Sequence, residues 1–156
     1  MPHIHEKIDF TAEVFVVYRN TVLLRKHDKY KIWLSVGGHI ELDEDPNQTA
    51  IREVKEEVGL DVVLADGLRP FTKETSGYKE LIPPMFLNRN RISDTHEHVT
   101  LTYFARAETD RLAILDHEKS AEIKWFTRSD LEKNEYGIKE AIRQYALRAL
   151  DVLGEK

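Results

Sequence analysis

The stretch GGHIELDEDPNQTAIREVKEEVGL, residues 37–60, combines the clearest turn, helix and charge signals in the chain. Between Glu41 and Glu57 it carries seven carboxylates against only Arg52 and Lys55, which gives a local charge of −5. The formal net charge of the whole 156-residue chain is also −5. The excess negative charge is therefore concentrated in one loop and one helix, and both the fold and the chemistry that we expect follow from this stretch.

Helix signals bracket the second half of the stretch. Asp45 is suited to cap a helix, Pro46 to occupy its first position, and Gln48 stands three residues after the cap, as in a capping box. Gly59 supplies the stop, because helices commonly end on a residue in the left-handed conformation. We therefore predict a helix over about residues 46–58.

The sequence on either side predicts strands and a second long helix. Residues 11–27 contain two runs rich in β-branched and aromatic residues around Arg19-Asn20, which indicates a β-hairpin. Residues 66–95 are interrupted by Pro and Gly and are expected to be loop with one or two short strands. Apolar patterning and capping signals predict the other elements: strands at 32–38, 61–65, 98–107 and 121–126, a short helix capped by Ser129, and an amphipathic helix at about 137–153.

The composition fits a single globular domain over residues 1–156. Apolar residues make up 41% of the chain and charged residues 33%, and the length is sufficient to bury a substantial core. Strands interleaved with helices predict an α/β fold with a mixed β-sheet covered on both faces. No run has the length and apolar character of a membrane span, and the N-terminus lacks the features of a secretory signal. We therefore expect a cytoplasmic protein that binds no membrane.

Two absences narrow the chemistry. The chain has no cysteine, which excludes disulfides, thiolate metal sites and a thiol nucleophile. It also has no stripe of Lys and Arg, which argues against stable binding of nucleic acid through the phosphate backbone. Small anions bound together with a counter-cation remain compatible with this composition.

The helix predicted at 46–58 has one apolar face and one face whose carboxylates repel one another. On a helical wheel Ile51, Val54 and Val58 share one arc, whereas the last three glutamates of the helix occupy another. Each like-charge pair at this spacing costs on the order of 0.2–0.5 kcal/mol, and the helix C-terminus also disfavours anions. A divalent cation would remove this conflict. Mg²⁺ fits the oxygen donors better than Zn²⁺, which would favour His and Cys.

The spacing of this stretch resembles the Nudix box. Gly38, five residues, Glu44, seven residues and then REVKEEVGL at 52–60 match every fixed position of that motif, which covers 23 of the 156 residues. The chain is similar in this respect to the Nudix hydrolases, which cleave nucleoside diphosphates linked to another moiety. The resemblance implies the Nudix fold, an α/β/α sandwich whose mixed sheet lies between the box helix and the C-terminal helix.

The resemblance also implies roles for the residues of the box. Arg52 would orient a glutamate, and Glu44 would hold the loop against the helix. Gly38 would allow close approach of the backbone, consistent with the permissive dihedral angles of glycine. The implied ion is Mg²⁺, with Mn²⁺ as a possible substitute. Its implied ligands are the side chains of Glu53, Glu56 and Glu57 and the backbone carbonyl of Gly37.

Hydrolysis of a diphosphate requires a general base for the attacking water, and four carboxylates are candidates. Glu53 or Glu56 could serve, although a carboxylate that coordinates metal is a weaker base than a free one. Some family members place the base on a loop outside the box. The candidates there are Glu97, next to a strand end, and Glu118, just before the strand predicted at 121–126.

Residues outside the helix are candidates for substrate binding. Arg25 and Lys31 lie between the hairpin and the glycine pair, where they could meet substrate phosphates, and Gly38 would let the backbone approach them. Tyr78 stands 18 residues beyond Leu60, a spacing associated in the family with dinucleoside polyphosphate substrates.

His96 and His98 stand two residues apart on a predicted strand and therefore share a face. Such a pair could bind metal, but a polar strand edge is its more frequent role. The sequence leaves both interpretations open.

The sequence thus predicts an Mg²⁺-dependent pyrophosphohydrolase that cleaves the diphosphate bond of a nucleoside di- or triphosphate derivative. One alternative is a Nudix-like sensor that binds a nucleotide without cleaving it, although such a module would be expected to lose box carboxylates. Another is an isoprenoid diphosphate isomerase, whose chemistry in the resembling family relies on a cysteine that this chain lacks. The expected partner is a small nucleotide substrate, and the expected assembly is a monomer or a homodimer.

Overall fold

The computed structural model describes residues 6–115 and 122–155. Within these residues the chain forms eight strands and three helices. They are, in chain order, β1 (Ile8–Tyr18), β2 (Thr21–Lys26), β3 (Trp33–Leu34), β4 (Val36–His39), α1 (Pro46–Val58), β5 (Val62–Leu64), β6 (Phe86–Arg91), β7 (Glu97–Ala107), β8 (Glu122–Thr127), α2 (Arg128–Lys133) and α3 (Glu140–Leu153).

Strand β1 lies inside a mixed eight-stranded sheet. It runs parallel to β7, whereas β2 and β4 pair with it in the antiparallel sense. Thr11 lies opposite His39 on one side and Thr100 on the other. Strand β4 therefore delivers the glycine pair alongside β1, directly before the loop that leads into α1.

Alternating residues of β1 divide the core into two layers, because successive side chains of a strand point to opposite faces. Val14 packs in a cluster with Val54 of α1. Phe15 belongs to the other cluster, where its ring lies edge-on to that of Tyr145 in α3, with centroids 5.8 Å apart. The sheet thus lies between α1 on one face and α3 on the other. The prediction of an α/β fold, with a mixed sheet between the box helix and the C-terminal helix, is confirmed.

Helix α1 begins and ends where the sequence predicts. The Asp45 carboxylate accepts from the Gln48 N–H at 2.9 Å, and the Gln48 side chain accepts from the Asp45 N–H at 2.8 Å. Pro46 is the first helical residue, and Gly59 ends the helix with a φ of 74°. The Gly59 N–H donates to the carbonyl of Lys55 at 3.0 Å. Both ends of the helix are therefore capped by the residues that the sequence indicates.

The apolar face of α1 is rotated slightly from the predicted one. Ala50, Val54 and Val58 are fully buried, whereas Ile51 is 45% exposed. The buried residues recur every fourth position and form one ridge against the sheet, which places Ile51 at the rim of that ridge. The three glutamates remain on a separate face.

Helix α3 begins at Glu140 rather than at the predicted residue 137. Gly137 adopts a φ of 68°, which is left-handed and incompatible with a helix start. The Asn134 side chain accepts a hydrogen bond from the N–H of Ile138 at 2.8 Å. Residues 134–138 therefore form a turn in place of the first helical turn.

Thr127, and not Ser129, caps the short helix α2. The Thr127 hydroxyl accepts from the Asp130 N–H at 3.1 Å, and the Asp130 carboxylate accepts from the Thr127 N–H at 2.9 Å. Both Thr and Ser can cap a helix, and each is followed three residues later by an acidic residue, Asp130 or Glu132. Thr127 is the cap because the helix begins directly at the end of β8, at Arg128.

The loop-rich middle of the chain follows the sequence prediction, with β6 as the named strand within residues 66–95. The run at 32–38 is divided into β3 and β4 at Ser35, whose hydroxyl donates to the Glu13 carboxylate at 2.7 Å. In the part of the chain that the structure describes, every helix is too short or too polar to cross a bilayer. The organisation of residues 1–156 as a single domain stays a prediction.

Candidate functional site

Arg52 forms hydrogen bonds with several carboxylates on the surface of α1. Its Nη1 donates to Glu53 Oε1 and to Glu56 Oε2, each at 3.0 Å. Because one nitrogen serves both acceptors, the two carboxylate oxygens lie within two hydrogen-bond lengths of each other. The same guanidinium donates to both oxygens of Glu44, from Nε at 2.9 Å and from Nη2 at 2.6 Å. One side chain therefore joins the preceding loop to two of the three glutamates predicted to bind metal.

Glu44 anchors the loop before α1 to the helix. Besides the contacts with Arg52, its carboxylate accepts from the Thr49 hydroxyl at 2.7 Å and from the Glu41 N–H at 3.1 Å. The hydrogen bonding from Arg52 is the main reason that the pKa of Glu44 falls from 4.5 to about 2. Glu44 therefore stays ionised at neutral pH and holds the guanidinium in a fixed place.

Glu53 lies against the glycine pair. Burial raises the pKa of the Glu53 carboxyl group above its ordinary value, and the Arg52 guanidinium partly opposes this shift. A Cβ atom at Gly38 would overlap the carboxyl group of Glu53, and one at Gly37 would overlap the backbone of Ala12. Glycine at both positions therefore allows β4 to lie this close to α1 and to β1.

Glu57 is held by a second arginine. Nη1 of Arg25 in β2 donates to Glu57 Oε2 at 2.8 Å, and the Glu57 side chain is only 13% exposed. Two guanidinium groups thus serve the three glutamates, and their charge offsets the repulsion that the glutamates would otherwise suffer. Arg25, which the sequence predicts to meet substrate phosphates, lies beside the glutamates.

The three glutamates Glu53, Glu56 and Glu57 form a carboxylate patch, which is open to solvent on one side. A depression of about 440 Å³ is lined in part by Glu44, Arg52 and Glu56, and the Glu56 side chain is 58% exposed. The side chains of Glu53 and Glu57 are both largely buried. A ligand that approaches the patch would therefore meet Glu56 before the two deeper carboxylates.

The candidate bases outside the box lie elsewhere. Glu97 at the start of β7 forms an ion pair with Arg89 of β6, and the hydrogen bond in this pair lowers the pKa of Glu97 below its ordinary value. Glu118 lies outside the described residues.

Lys31 and Tyr78 lie on loops. Lys31 is exposed between β2 and β3, where its φ is 53°. Tyr78 is exposed, and its hydroxyl donates to the carboxylate of Glu80. The loop that contains Tyr78 is fastened to the first turn of α1, because the Asn47 side chain bonds to both the N–H and the carbonyl of Ile82 at 2.8 Å.

Sequence reasoning did not predict a second group of ionisable side chains. His98 lies on β7 as expected, whereas His96 lies just before the strand begins. His96 faces Asp9 of β1, and His98 faces both Asp9 and His39 of β4. Asp9 is only 1% exposed. These residues are distant in sequence, and the alternation of β7 was the one available signal. That alternation indicates which residues share a face but not which strand lies beside them.

Comparisons with known proteins identify the family and the fold of the chain. The model of the NUDIX domain family matches residues 9–146. A NUDIX family hydrolase from Clostridium perfringens, known from its crystal structure, is 38% identical with a TM-score of 0.84, over 93% of this chain and 97% of that one. A MutT NUDIX hydrolase from Burkholderia pseudomallei is 19% identical with a TM-score of 0.61, over 95% and 99% of the two chains, and shares the fold.

One curated relative is the dihydroneopterin triphosphate diphosphatase of Haemophilus influenzae, which is 38% identical over 69 residues. That match covers 35% of this chain and 44% of the relative, so the chain matches less than half the length of that protein. The match of the family model, in contrast, extends over most of the chain and includes the whole box. The chain therefore belongs to the Nudix hydrolase family.

Proposed function

We propose that the protein is an Mg²⁺-dependent pyrophosphohydrolase that cleaves the diphosphate bond of a nucleoside di- or triphosphate derivative. The observation that carries this proposal is the convergence of Glu53 and Glu56 on one nitrogen of Arg52, beside the glycine pair. Membership in the Nudix hydrolase family supports the same class of reaction. The name of the similar Haemophilus influenzae protein supports a substrate with a polyphosphate chain.

The donor set fits a hard divalent cation. The carboxylates of Glu53, Glu56 and Glu57 and the backbone carbonyl of Gly37 offer oxygen atoms, which Mg²⁺ and Mn²⁺ prefer as ligands. The patch also has an open side through which a substrate could add phosphate oxygens, as Mg²⁺ sites commonly require.

The residues of the patch and the two arginines beside it would have different roles in hydrolysis. When bound, Mg²⁺ supplies charge neutralisation for the diphosphate oxygens and lowers the pKa of a water molecule. Glu53 or Glu56 would accept the proton from the attacking water. Arg52 would keep both carboxylates oriented, and Arg25 would become available to a substrate phosphate on releasing Glu57.

Glu97, the described candidate outside the box, is held in an ion pair with Arg89. Its pairing with Arg89 lowers its pKa, and the pair would have to separate before the carboxylate could take a proton. Glu118 stays a prediction from the sequence.

The proposal is tested first by a substrate panel. Nucleoside triphosphates, sugar nucleotides, dinucleoside polyphosphates and dihydroneopterin triphosphate are each incubated with Mg²⁺ or Mn²⁺. Phosphate release is measured with and without added phosphatase and inorganic pyrophosphatase, which distinguishes the products. We expect release from at least one member of the panel and only in the presence of the divalent ion. Tight nucleotide binding without release from any member would support the sensor instead.

The second test is Glu57→Gln, assayed on the substrate found in the panel. We expect kcat/KM to fall at least about a hundredfold, because the amide removes one anionic ligand while preserving the shape of the side chain. Glu132→Gln is the matched control, since Glu132 is an exposed carboxylate on α2. Unchanged turnover in Glu57→Gln, with the circular dichroism of both variants equal to that of the wild type, would contradict the proposal.

A further inference from the structure

Three adjacent strands each contribute one ionisable side chain to the sheet face opposite α1. Asp9 of β1 is the direct register partner of His98 in the parallel strand β7. His39 of β4 lies opposite Thr11, two residues further along β1 on the same face. One donor atom from each of the three side chains lies within 4.8 Å of the donor atoms of the other two. The sheet register therefore brings a carboxylate and two imidazoles to one point.

The spacing of these donors is close to that of a metal polyhedron. His39 Nε2 lies 3.6 Å from Asp9 Oδ2. In a tetrahedral zinc site with bonds of about 2.0–2.1 Å, neighbouring ligand atoms stand about 3.3 Å apart. The rings of His39 and His98 meet edge to face, with centroids 4.9 Å apart and an interplanar angle of 84°. Small side-chain rotations would therefore bring all three donors onto one ion.

His96 lies beside the same carboxylate oxygen of Asp9 as His39. Its Nε2 lies 3.2 Å from Asp9 Oδ2, and its Nδ1 lies 3.3 Å from the backbone carbonyl of Glu6. A carbonyl oxygen only accepts, so Nδ1 donates and fixes the orientation of the ring. Metal ligands are commonly surrounded by a further shell of polar residues. His96 is accordingly a polar neighbour of Asp9 and not one of the three proposed ligands.

The carboxylate of the cluster is deeper than its two imidazoles. Asp9 is 1% exposed, whereas His39 and His98 are only partly buried. An ion would therefore reach the three donors from the side of the two imidazoles.

We propose that Asp9, His39 and His98 form a second metal site, distinct from the box, that binds a divalent transition-metal ion such as Zn²⁺. Two imidazoles and one carboxylate suit zinc and its neighbours in the first transition row, whereas Mg²⁺ prefers an all-oxygen shell. The bound ion would clamp β1, β4 and β7 together. Because His39 directly follows Gly38, this clamp would fix the end of β4 that lies under the carboxylate patch.

The test uses Co²⁺ as the probe, since its visible absorption reports nitrogen ligation and low coordination number. The full-length protein is stripped with a chelator, dialysed and titrated with Co²⁺ in the presence of millimolar Mg²⁺. We expect one equivalent of Co²⁺ to produce intense absorption in the wild type and equally in Glu57→Gln. In His98→Asn we expect the affinity for this Co²⁺ to fall more than about tenfold. His27→Asn is the matched control, because His27 lies outside the cluster, in the turn after β2.

A variant-independent measurement covers the case in which His98→Asn fails to fold. Long-range nitrogen–proton NMR spectra of the wild type resolve the histidine rings, and one equivalent of Zn²⁺ should shift the ring nitrogens of both His39 and His98. Unshifted rings would overturn the proposal and leave a buried ion pair between Asp9 and the histidines. Equal Co²⁺ binding by the wild type and a folded His98→Asn, or displacement of the bound Co²⁺ by Mg²⁺, would also overturn it.

Discussion

The two faces of the sheet at the end of β4 carry opposite kinds of ionisable groups. Gly38 faces α1, where the carboxyl group of Glu53 fills the space that a Cβ atom would need. His39, the next residue, faces the other way, toward Asp9 and His98. One short strand therefore passes its backbone beneath an oxygen-rich site and supplies a ligand to an imidazole-rich one.

The two groups differ in how the chain assembles them. The carboxylate patch is built by helical spacing within one continuous stretch, and its charge is balanced by Arg52 and Arg25. The histidine cluster consists of Asp9, His39 and His98, and it is built by register between strands that are far apart in sequence. They meet at His39, whose backbone carbonyl accepts from Arg52 Nη2 at 3.3 Å. Among the described residues no side chain belongs to both groups, so a substitution that replaces a ligand on one face should leave the metal ligands of the other face in place.

The largest expected effect that separates the faces is that of Gly38→Ala. The added methyl group points at the Glu53 carboxylate and would displace it. A misplacement of about 1 Å in a catalytic group can cost about a hundredfold in rate, or about 2.7 kcal/mol. We expect kcat/KM with Mg²⁺ to fall by about this factor. The Co²⁺ absorption of the histidine cluster should persist, because the methyl group points to the opposite face.

Gly67→Ala is the control for this prediction. A Cβ atom at Gly67 would meet no neighbour within 4 Å, so its substitution should leave both activity and Co²⁺ binding at the wild-type level. If Gly38→Ala retained full activity, the close approach of β4 to Glu53 would not matter for catalysis. If it lost Co²⁺ binding as well, the two faces would not be independent.

The next effect in size concerns stability on the α1 face. The pKa of Glu44 is about 2 in the folded protein and 4.5 in the unfolded chain, and Arg52 is the main cause. A carboxylate with a lowered pKa contributes stability that is fully present above pH 4.5 and is lost as the pH falls toward about 2. Glu44→Gln should therefore lower the free energy of unfolding on the order of 2 kcal/mol at pH 7. The difference from the wild type should shrink steadily below pH 4.5.

Urea unfolding followed by circular dichroism at pH 7 and near pH 3 measures this difference. Asp43→Asn is the matched control, since Asp43 is an exposed carboxylate in the same loop. Its free energy of unfolding should stay close to that of the wild type at both pH values. A difference for Glu44→Gln that stayed constant with pH would show that the carboxylate contributes through packing and not through its charge.

The sequence predicted the elements whose signals are local. Helix α1 begins after Asp45 and ends at Gly59 because the capping residues and the glycine stop are adjacent to it in the chain. The family, the α/β/α sandwich and the hydrolase class followed from the continuous box, and the comparisons confirm them. The positions of Arg52, Glu53 and Glu56 on one surface also follow from helical periodicity alone.

The features that the sequence did not predict depend on a choice between two similar local signals or on the register of strands that are distant in sequence. Ser129 and Thr127 are both good caps with an acidic residue three positions later, so the capping pattern alone does not choose between them. The late start of α3 depends on the left-handed Gly137, since glycine also occurs at other backbone conformations. The grouping of Asp9, His39 and His98 requires the parallel pairing of β1 with β7, which no short-range pattern specifies.

The smallest expected effect is a change in metal affinity on substitution of Arg25. This residue places a positive charge next to the carboxylate patch, and it is not a member of the histidine cluster. Arg25 donates to Glu57 at 2.8 Å and so competes with a divalent ion for this carboxylate. Removing one positive charge at this distance should tighten Mn²⁺ binding in the absence of substrate, and we expect a gain of about fivefold for Arg25→Gln, or about 1 kcal/mol. The measurement is the electron paramagnetic resonance signal of free Mn²⁺ during titration.

Lys26→Gln is the control, since the next residue of β2 faces away and its Nζ lies 3.8 Å from Glu122 instead. An equal gain in Lys26→Gln would reduce the effect to net charge, whereas weaker Mn²⁺ binding in Arg25→Gln would mean that Arg25 holds Glu57 in the geometry that the ion requires.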